Sequence, residues 1–185
     1  MIAYHIDRTC SLTPSQIIEL APYPHENGSF SFMSKKLFQE KVSHHGYQYL
    51  ADASLSSLPS TNESIIEYTT ELVRQSFFPE MPSRFQSFFA LETIEDLLTW
   101  KDFLLTPDAK IFEIEFKEEQ CVKLDSAFLP NALYSTSTLN FSPSQNFEDA
   151  YKYWSMCHTE APRYELLITP PVTIRNEKHL SISLT

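Results

Sequence analysis

Glu165 stands at the head of an apolar run, Glu165-Leu166-Leu167-Ile168, that stops at Pro170-Pro171 and resumes as Val172-Thr173-Ile174. Proline donates no ladder hydrogen bond, so the pair ends or bulges a strand there. A lone acid at the mouth of such a strand is either a solvated edge residue or a functional carboxylate, perturbed carboxylates being the minority. The other reactive spacings carry less. His44 and His45 are adjacent, so their side chains diverge on a helix or a strand, and no metal site is expected. Ser15, Ser43 and Ser142 lie in no strand-turn-helix elbow. Cys157-His158 is sequential, whereas a nucleophile and its base meet through the fold. Glu113 and Glu115 alternate onto one face and read as solvated charge.

Composition narrows the field. With 185 residues, 42% hydrophobic and 14% aromatic, the chain has apolar material enough for one domain with a core. Gly28 and Gly46 are its only glycines. A P-loop or a dinucleotide fingerprint needs several glycines in one turn, so a bound nucleotide must be held by side chains and strand edges. A net charge of −10 argues against an extended nucleic-acid surface, which needs clustered Lys and Arg. Cys10, Cys121 and Cys157 are far apart, show no disulfide framework and suit a reducing compartment. Met1 to Leu12 carries Asp7 and Arg8 amid short apolar runs and is no signal peptide. No run approaches the roughly 20 residues of a membrane span. A cytoplasmic protein is expected, with secretion without a cleaved signal left open.

Periodicity supplies the elements that would position these residues. Ile2 to Ile6 predicts an opening strand, and Thr13-Pro14-Ser15-Gln16 a helix entry or a turn before Ile17. Residues 21–62 have weak periodicity and read as a long irregular region, with a short helix over Lys35 to Val42, that could serve as a lid. Thr61 or Asn62 can cap a helix over 63–77, whose Ile65, Ile66, Tyr68, Leu72 and Val73 share an apolar face. Ser83 to Leu91 alternates and predicts a strand; Thr93, Glu95 and Asp96 open a helix through Trp100 and Phe103. Lys110 to Lys117 predicts a half-buried strand, with Val122 to Leu124 extending a neighbour. Phe147 to Trp154 predicts a helix, and 164–168, 172–175 and 180–184 the last strands. The irregular mixture points to an α+β fold in a single domain over residues 1–185.

Four segments in order along the chain carry a family resemblance. They are Tyr4-His5-Ile6-Asp7-Arg8, then Pro82-Ser83-Arg84-Phe85-Gln86-Ser87-Phe88-Phe89-Ala90, then Tyr151-Lys152-Tyr153-Trp154, and last Tyr164-Glu165-Leu166-Leu167-Ile168-Thr169-Pro170-Pro171-Val172. Together they resemble the ADP-ribosyltransferase superfamily, and more closely a bacterial and phage branch of unknown function that begins with a Tyr-His-x-x-Arg strand. The resemblance implies a split β-sheet core with flanking helices, NAD as substrate, and a macromolecular acceptor, first of all a protein. It implies that His5 holds the adenosine ribose and that Glu165 is the catalytic glutamate. The chain departs from the superfamily in two places. The Ser-Thr-Ser strand is missing: Ser83 and Ser87 are the nearest substitutes, and Ser135-Thr136-Ser137 comes in the wrong order. Arg163 stands where arginine-modifying members carry Gln or Glu, which speaks against an arginine acceptor.

The implied reaction breaks the bond between nicotinamide and the ribose, and positive charge develops on the sugar. A carboxylate aimed at the ribose hydroxyls stabilises that state more than the ground state, a role for Glu165, along with orienting or deprotonating the acceptor. The diphosphate calls for arginine, whose planar fork binds phosphate oxygens in pairs; Arg8 and Arg84 lie on expected strands. Tyr4, Phe88 and Phe89 are candidates to stack on nicotinamide, against ordinary core burial. A core histidine at His5 and a structural ion pair at Arg84 are the competing readings. So are an NAD glycohydrolase, with water as acceptor, and a non-catalytic interaction or immunity module. The acidic charge disfavours a nucleic-acid acceptor.

Overall fold

The structure, a computed structural model, describes residues 1–22, 35, 36, 38, 41–50, 61–129 and 142–179. Its strands are β1 (Ile2–Asp7), β2 (Ile17–Ile18), β3 (Ala21–Pro22), β4 (Lys41–Val42), β5 (Phe88–Ala90), β6 (Lys110–Glu115), β7 (Cys121–Asp125), β8 (Tyr164–Ile168) and β9 (Val172–Lys178). Its helices are α1 (His44–Leu50), α2 (Thr61–Phe77), α3 (Ile94–Leu104) and α4 (Pro143–Trp154). All strand pairs are antiparallel, in a four-stranded sheet ordered β1-β6-β9-β2, a three-stranded sheet ordered β5-β8-β7, and the short pair β3-β4. The fold is a small mixed α/β domain. An isolated bridge joins the two larger sheets: Tyr4 and Leu91 exchange two backbone hydrogen bonds of 2.8 Å.

The pleat of β8 decides which way Glu165 points. Leu166 and Ile168 pack with Ala3, Ala90, Phe112, Ile114 and Ile174, a cluster shared by the two larger sheets. Leu167 packs instead with Ile66 and Val73 of α2 and Tyr153 and Trp154 of α4. Alternate strand residues share a face, so Glu165 lies with Leu167 on the helix side. A third cluster lays Leu97 and Trp100 of α3 on Ile6, Leu91 and Ile111, with Tyr4 at its margin. Phe112 and Ile114 of β6 are buried as expected, but Ile111, on the other face, is buried too, beneath α3, and Glu113 and Glu115 pair with Lys178 and Arg175 of β9 instead of standing as solvated charge.

Local chemistry sets the ends of the elements. The Thr93 hydroxyl accepts from Asp96 N at 3.0 Å, and the Asp96 carboxylate accepts from Thr93 N, a capping box that starts α3. Ser142 caps α4 with Pro143 in its first turn. The expected strand over 83–91 is shorter, because residues 84–86 form a tight 3-10 turn and only Phe88–Ala90 is strand. Ser83 Oγ accepts from Phe85 N at 3.2 Å, and Ser87 Oγ donates to Ser83 O at 2.7 Å. Such side-chain bonds to backbone compete with strand pairing. Arg84 therefore projects from a turn, not a strand. Arg8, also expected on a strand, follows the end of β1 on an exposed bend.

Within 21–62, Lys35 and Lys36 are helical, but Lys41–Val42 is a strand and an unforeseen helix follows at His44. The rest of that region lies outside the described residues, as do the expected strand over 180–184 and Ser135-Thr136-Ser137. Helix α1 lies directly on the Arg84 turn. Ser43 N donates to Phe85 O at 2.9 Å, and a Cβ on Gly46 would stand 2.1 Å from that same oxygen. No side chain fits there. Gly46→Ala should lower stability by about 1–3 kcal/mol, the usual cost of overpacking, as read from urea denaturation. An unchanged midpoint would mean that α1 does not rest on the turn.

Candidate functional site

Five side chains from α1, α2, the 84–86 turn, α4 and β8 converge behind the three-stranded sheet. Glu165 and Arg84 are each only 6% exposed. Arg84 Nη1 donates to Glu165 Oε1 at 2.5 Å and to Tyr153 Oη at 2.7 Å, and Tyr153 Oη in turn donates to Glu165 Oε1 at 2.7 Å. The other edge of the guanidinium is bound two-toothed by Glu67: Nε to Oε2 at 2.8 Å and Nη2 to Oε1 at 2.9 Å. His45 Nε2 lies 3.3 Å from Glu67 Oε1, within ion-pair range but off the hydrogen-bonding direction, so that nitrogen is buried without a hydrogen bond. The acid at the strand mouth is thus no solvated edge residue.

Two carboxylates face one guanidinium, and their electrostatics follow from that count. Burial by itself would raise the Glu67 pKa, but Arg84 and then His45 outweigh it and hold the carboxyl well below the usual range. Burial likewise opposes charge on Arg84, yet Glu165 and Glu67 keep its pKa well above the ordinary value. Burial keeps the Tyr153 phenol protonated, with Glu165 reinforcing it against Arg84, so the hydroxyl stays a donor. Burial, with Glu67 and Glu63, does the same for Tyr49 on α1.

Phe89 links this cluster to β1. Its ring lies 4.9 Å from the Arg84 guanidinium carbon and 4.4 Å from the His45 ring. Its carbonyl oxygen is 2.7 Å from His5 Nδ1. A carbonyl only accepts, so Nδ1 carries the hydrogen. Burial pushes the His5 pKa down and keeps the ring neutral, which leaves Nε2 as an acceptor. The His5 ring packs on Phe88 at 4.3 Å. Phe89 therefore ties His5 to the cluster.

The remaining sequence candidates sit less centrally. Ser83 donates to Glu71 Oε2 at 2.9 Å, and Glu71 is itself paired with Arg74. Ser87 is spent on the turn backbone. Tyr4 packs toward α3, on the side of β1 opposite His5. The segment entering β8 is fastened by Asp125, which accepts from Thr159 N and Oγ1 at 2.8 Å, Arg163 N at 2.9 Å and Ala127 N at 3.0 Å. Those bonds outweigh burial and depress its pKa. Among the described residues no group of His, Cys, Asp and Glu could hold a metal ion, and no helix is long and apolar enough to cross a membrane.

A family model, "Protein of unknown function (DUF2441)", matches residues 3–180. The chain belongs to this family. No curated protein matches it. In this DUF2441 protein the matched span runs from β1 past the end of β9 and takes in His5, His45, Glu67, Arg84, Tyr153 and Glu165. Sequence reading had missed Glu67, Tyr153 and His45 as site residues. One signal was available for Glu67: Glu63, Glu67 and Glu71 recur every fourth residue on α2. Like charges at that spacing destabilise a helix unless each has a partner elsewhere.

Proposed function

We propose that this DUF2441 protein is an NAD-dependent mono-ADP-ribosyltransferase whose bridged pair of sheets is an ADP-ribosyltransferase-like split core. The observation that carries the reading is Glu165 itself. It is a buried carboxylate held through Oε1 alone, and its Oε2 takes no hydrogen bond among the described residues. The reaction breaks the ribose C1′ bond to nicotinamide, which leaves with the bonding pair, while an acceptor lone pair forms the new C1′ bond and the acceptor loses a proton. Glu165 Oε2 accepts from a ribose hydroxyl and opposes the positive charge that develops on the sugar. With two carboxylates against one guanidinium the cluster has an excess of negative charge, which favours the cationic transition state over the ground state.

The other residues divide the binding. His5 Nε2 accepts from the adenosine ribose. Every nitrogen of the Arg84 guanidinium is engaged by Glu67, Tyr153 or Glu165, so the diphosphate falls to Arg8, which is exposed. Phe89, on the Glu165 face of the three-stranded sheet and 4.9 Å from the Arg84 guanidinium carbon, is the ring for the nicotinamide.

The test uses the whole protein with NAD labelled in its adenine half, incubated with a cell lysate. Labelled protein and free nicotinamide in equal amounts are expected. Nicotinamide without labelled protein would make water the acceptor and the protein an NAD glycohydrolase. No NAD binding by calorimetry at millimolar concentration would leave a non-catalytic interaction module, with the Arg84 cluster a structural ion pair.

A further inference from the structure

We infer that Tyr153, on α4, is the positioning residue that divides the two oxygens of Glu165, reserving Oε1 for the protein and Oε2 for substrate. The inference rests on the reading of Glu165 as the reacting carboxylate. Its basis is a closed triangle of hydrogen bonds: Arg84 Nη1 to Tyr153 Oη, Tyr153 Oη to Glu165 Oε1, and Arg84 Nη1 to the same Oε1. Both donors meet one oxygen. Arginine next to a carboxylate ordinarily forms two parallel bonds, one to each oxygen. Here Glu67 occupies the two-toothed Nε and Nη2 edge, and Arg84 meets Glu165 through Nη1 alone.

A lone Nη1 contact would not choose between the oxygens, since the carboxylate can turn about its last bond. The phenol supplies the second direction that fixes it. Tyr153 can do this because it is fully buried, packs edge-on to Trp154 with ring centroids 4.8 Å apart, and has no freedom to follow the carboxylate. Trp154 is in turn pinned by its indole N–H to Thr70 O at 2.8 Å. The aromatic pair on α4 thus connects the helix packing to one oxygen atom on β8. Glu67 contributes from the other side by fixing the plane of the Arg84 guanidinium through Nε and Nη2.

The test is Y153F, which keeps the ring and leaves Arg84 Nη1 on Glu165, so the fold should persist. Two readouts are taken from the intact protein. In a crystal structure of Y153F the Glu165 carboxylate should be turned, or spread over two positions, relative to the wild type. With NAD, kcat should fall by up to about 100-fold, the scale of a small misplacement of a reacting group, while KM and the calorimetric Kd for NAD stay within about twofold. A merely structural role would move stability without this split. An unmoved carboxylate with unchanged kcat overturns the inference. If the wild type neither binds nor cleaves NAD, the transferase reading fails, and the crystal structure alone decides whether Tyr153 orients Glu165.

Discussion

Arg84→Met should lower stability at pH 8 by about 3–5 kcal/mol, the usual cost of removing one partner from a buried ion pair, and should reverse the pH dependence of the cluster. In the wild type Glu67 has a depressed folded pKa. Its pairing therefore stabilises the fold above the carboxyl's ordinary value of 4.5 and is lost as pH falls below it. In the variant Glu67 and Glu165 remain buried with no guanidinium between them. With the guanidinium gone, burial raises the folded pKa of Glu67 above the unfolded one. A group with a raised pKa gains stability as it protonates, so the variant should become more stable as pH drops from 8 toward 5, where the wild-type cluster is flat. Urea midpoints at the two pH values check this, with Arg84→Lys as the milder companion, since an ammonium cannot reproduce the two-toothed contact. A loss below about 1 kcal/mol with no change of sign would mean that water reaches the cluster freely and that its charges are screened.

That cluster also marks how far the sequence could be read. β1, β6, β8, β9 and three of the helices were legible because their residues alternate, form a proline-bounded apolar run as in β8, or recur at helical spacing, and these are local properties. The burial of Glu165 was not legible. It depends on α4 and α2 lying over β8, which no local pattern encodes. Arg84 and Tyr153 touch across 69 residues, and Arg84 and Glu165 across 81. The tetrad at Tyr151 to Trp154 stood out as a motif, but the phenol's task is defined only by partners on other elements. The 84–86 turn was misread for a physical reason: alternating aromatics predict a strand, while the Ser83 and Ser87 hydroxyls fold the same residues back on themselves. Helix α1 was missed because His44-His45-Gly46 has no apolar periodicity. Its place is set by the absence of a side chain at Gly46, where α1 meets the Phe85 carbonyl.

Glu165→Gln should reduce kcat for NAD cleavage by about 100- to 1,000-fold, the range seen when a group stabilising transition-state charge is removed, while costing the fold little. Glutamine has the same shape, and its carbonyl is the only half able to accept from Arg84 Nη1 and Tyr153 Oη. The amide oxygen therefore takes the place of Oε1. Its NH2 group must then occupy the place of Oε2, presenting a donor where the sugar hydroxyl needs an acceptor, and no negative charge. Arg84 keeps its two-toothed bond to Glu67, so the remaining pair is balanced one to one and stability should change by less than about 1–2 kcal/mol, within the ordinary range for single substitutions. NAD affinity should hold, because His5 and Arg8 are untouched. Stopped assays for free nicotinamide, calorimetry with NAD and urea denaturation measure the three quantities separately. A catalytic carboxylate lowers the first alone. A structural one lowers the third and leaves nicotinamide release, if there is any, in proportion to the folded fraction.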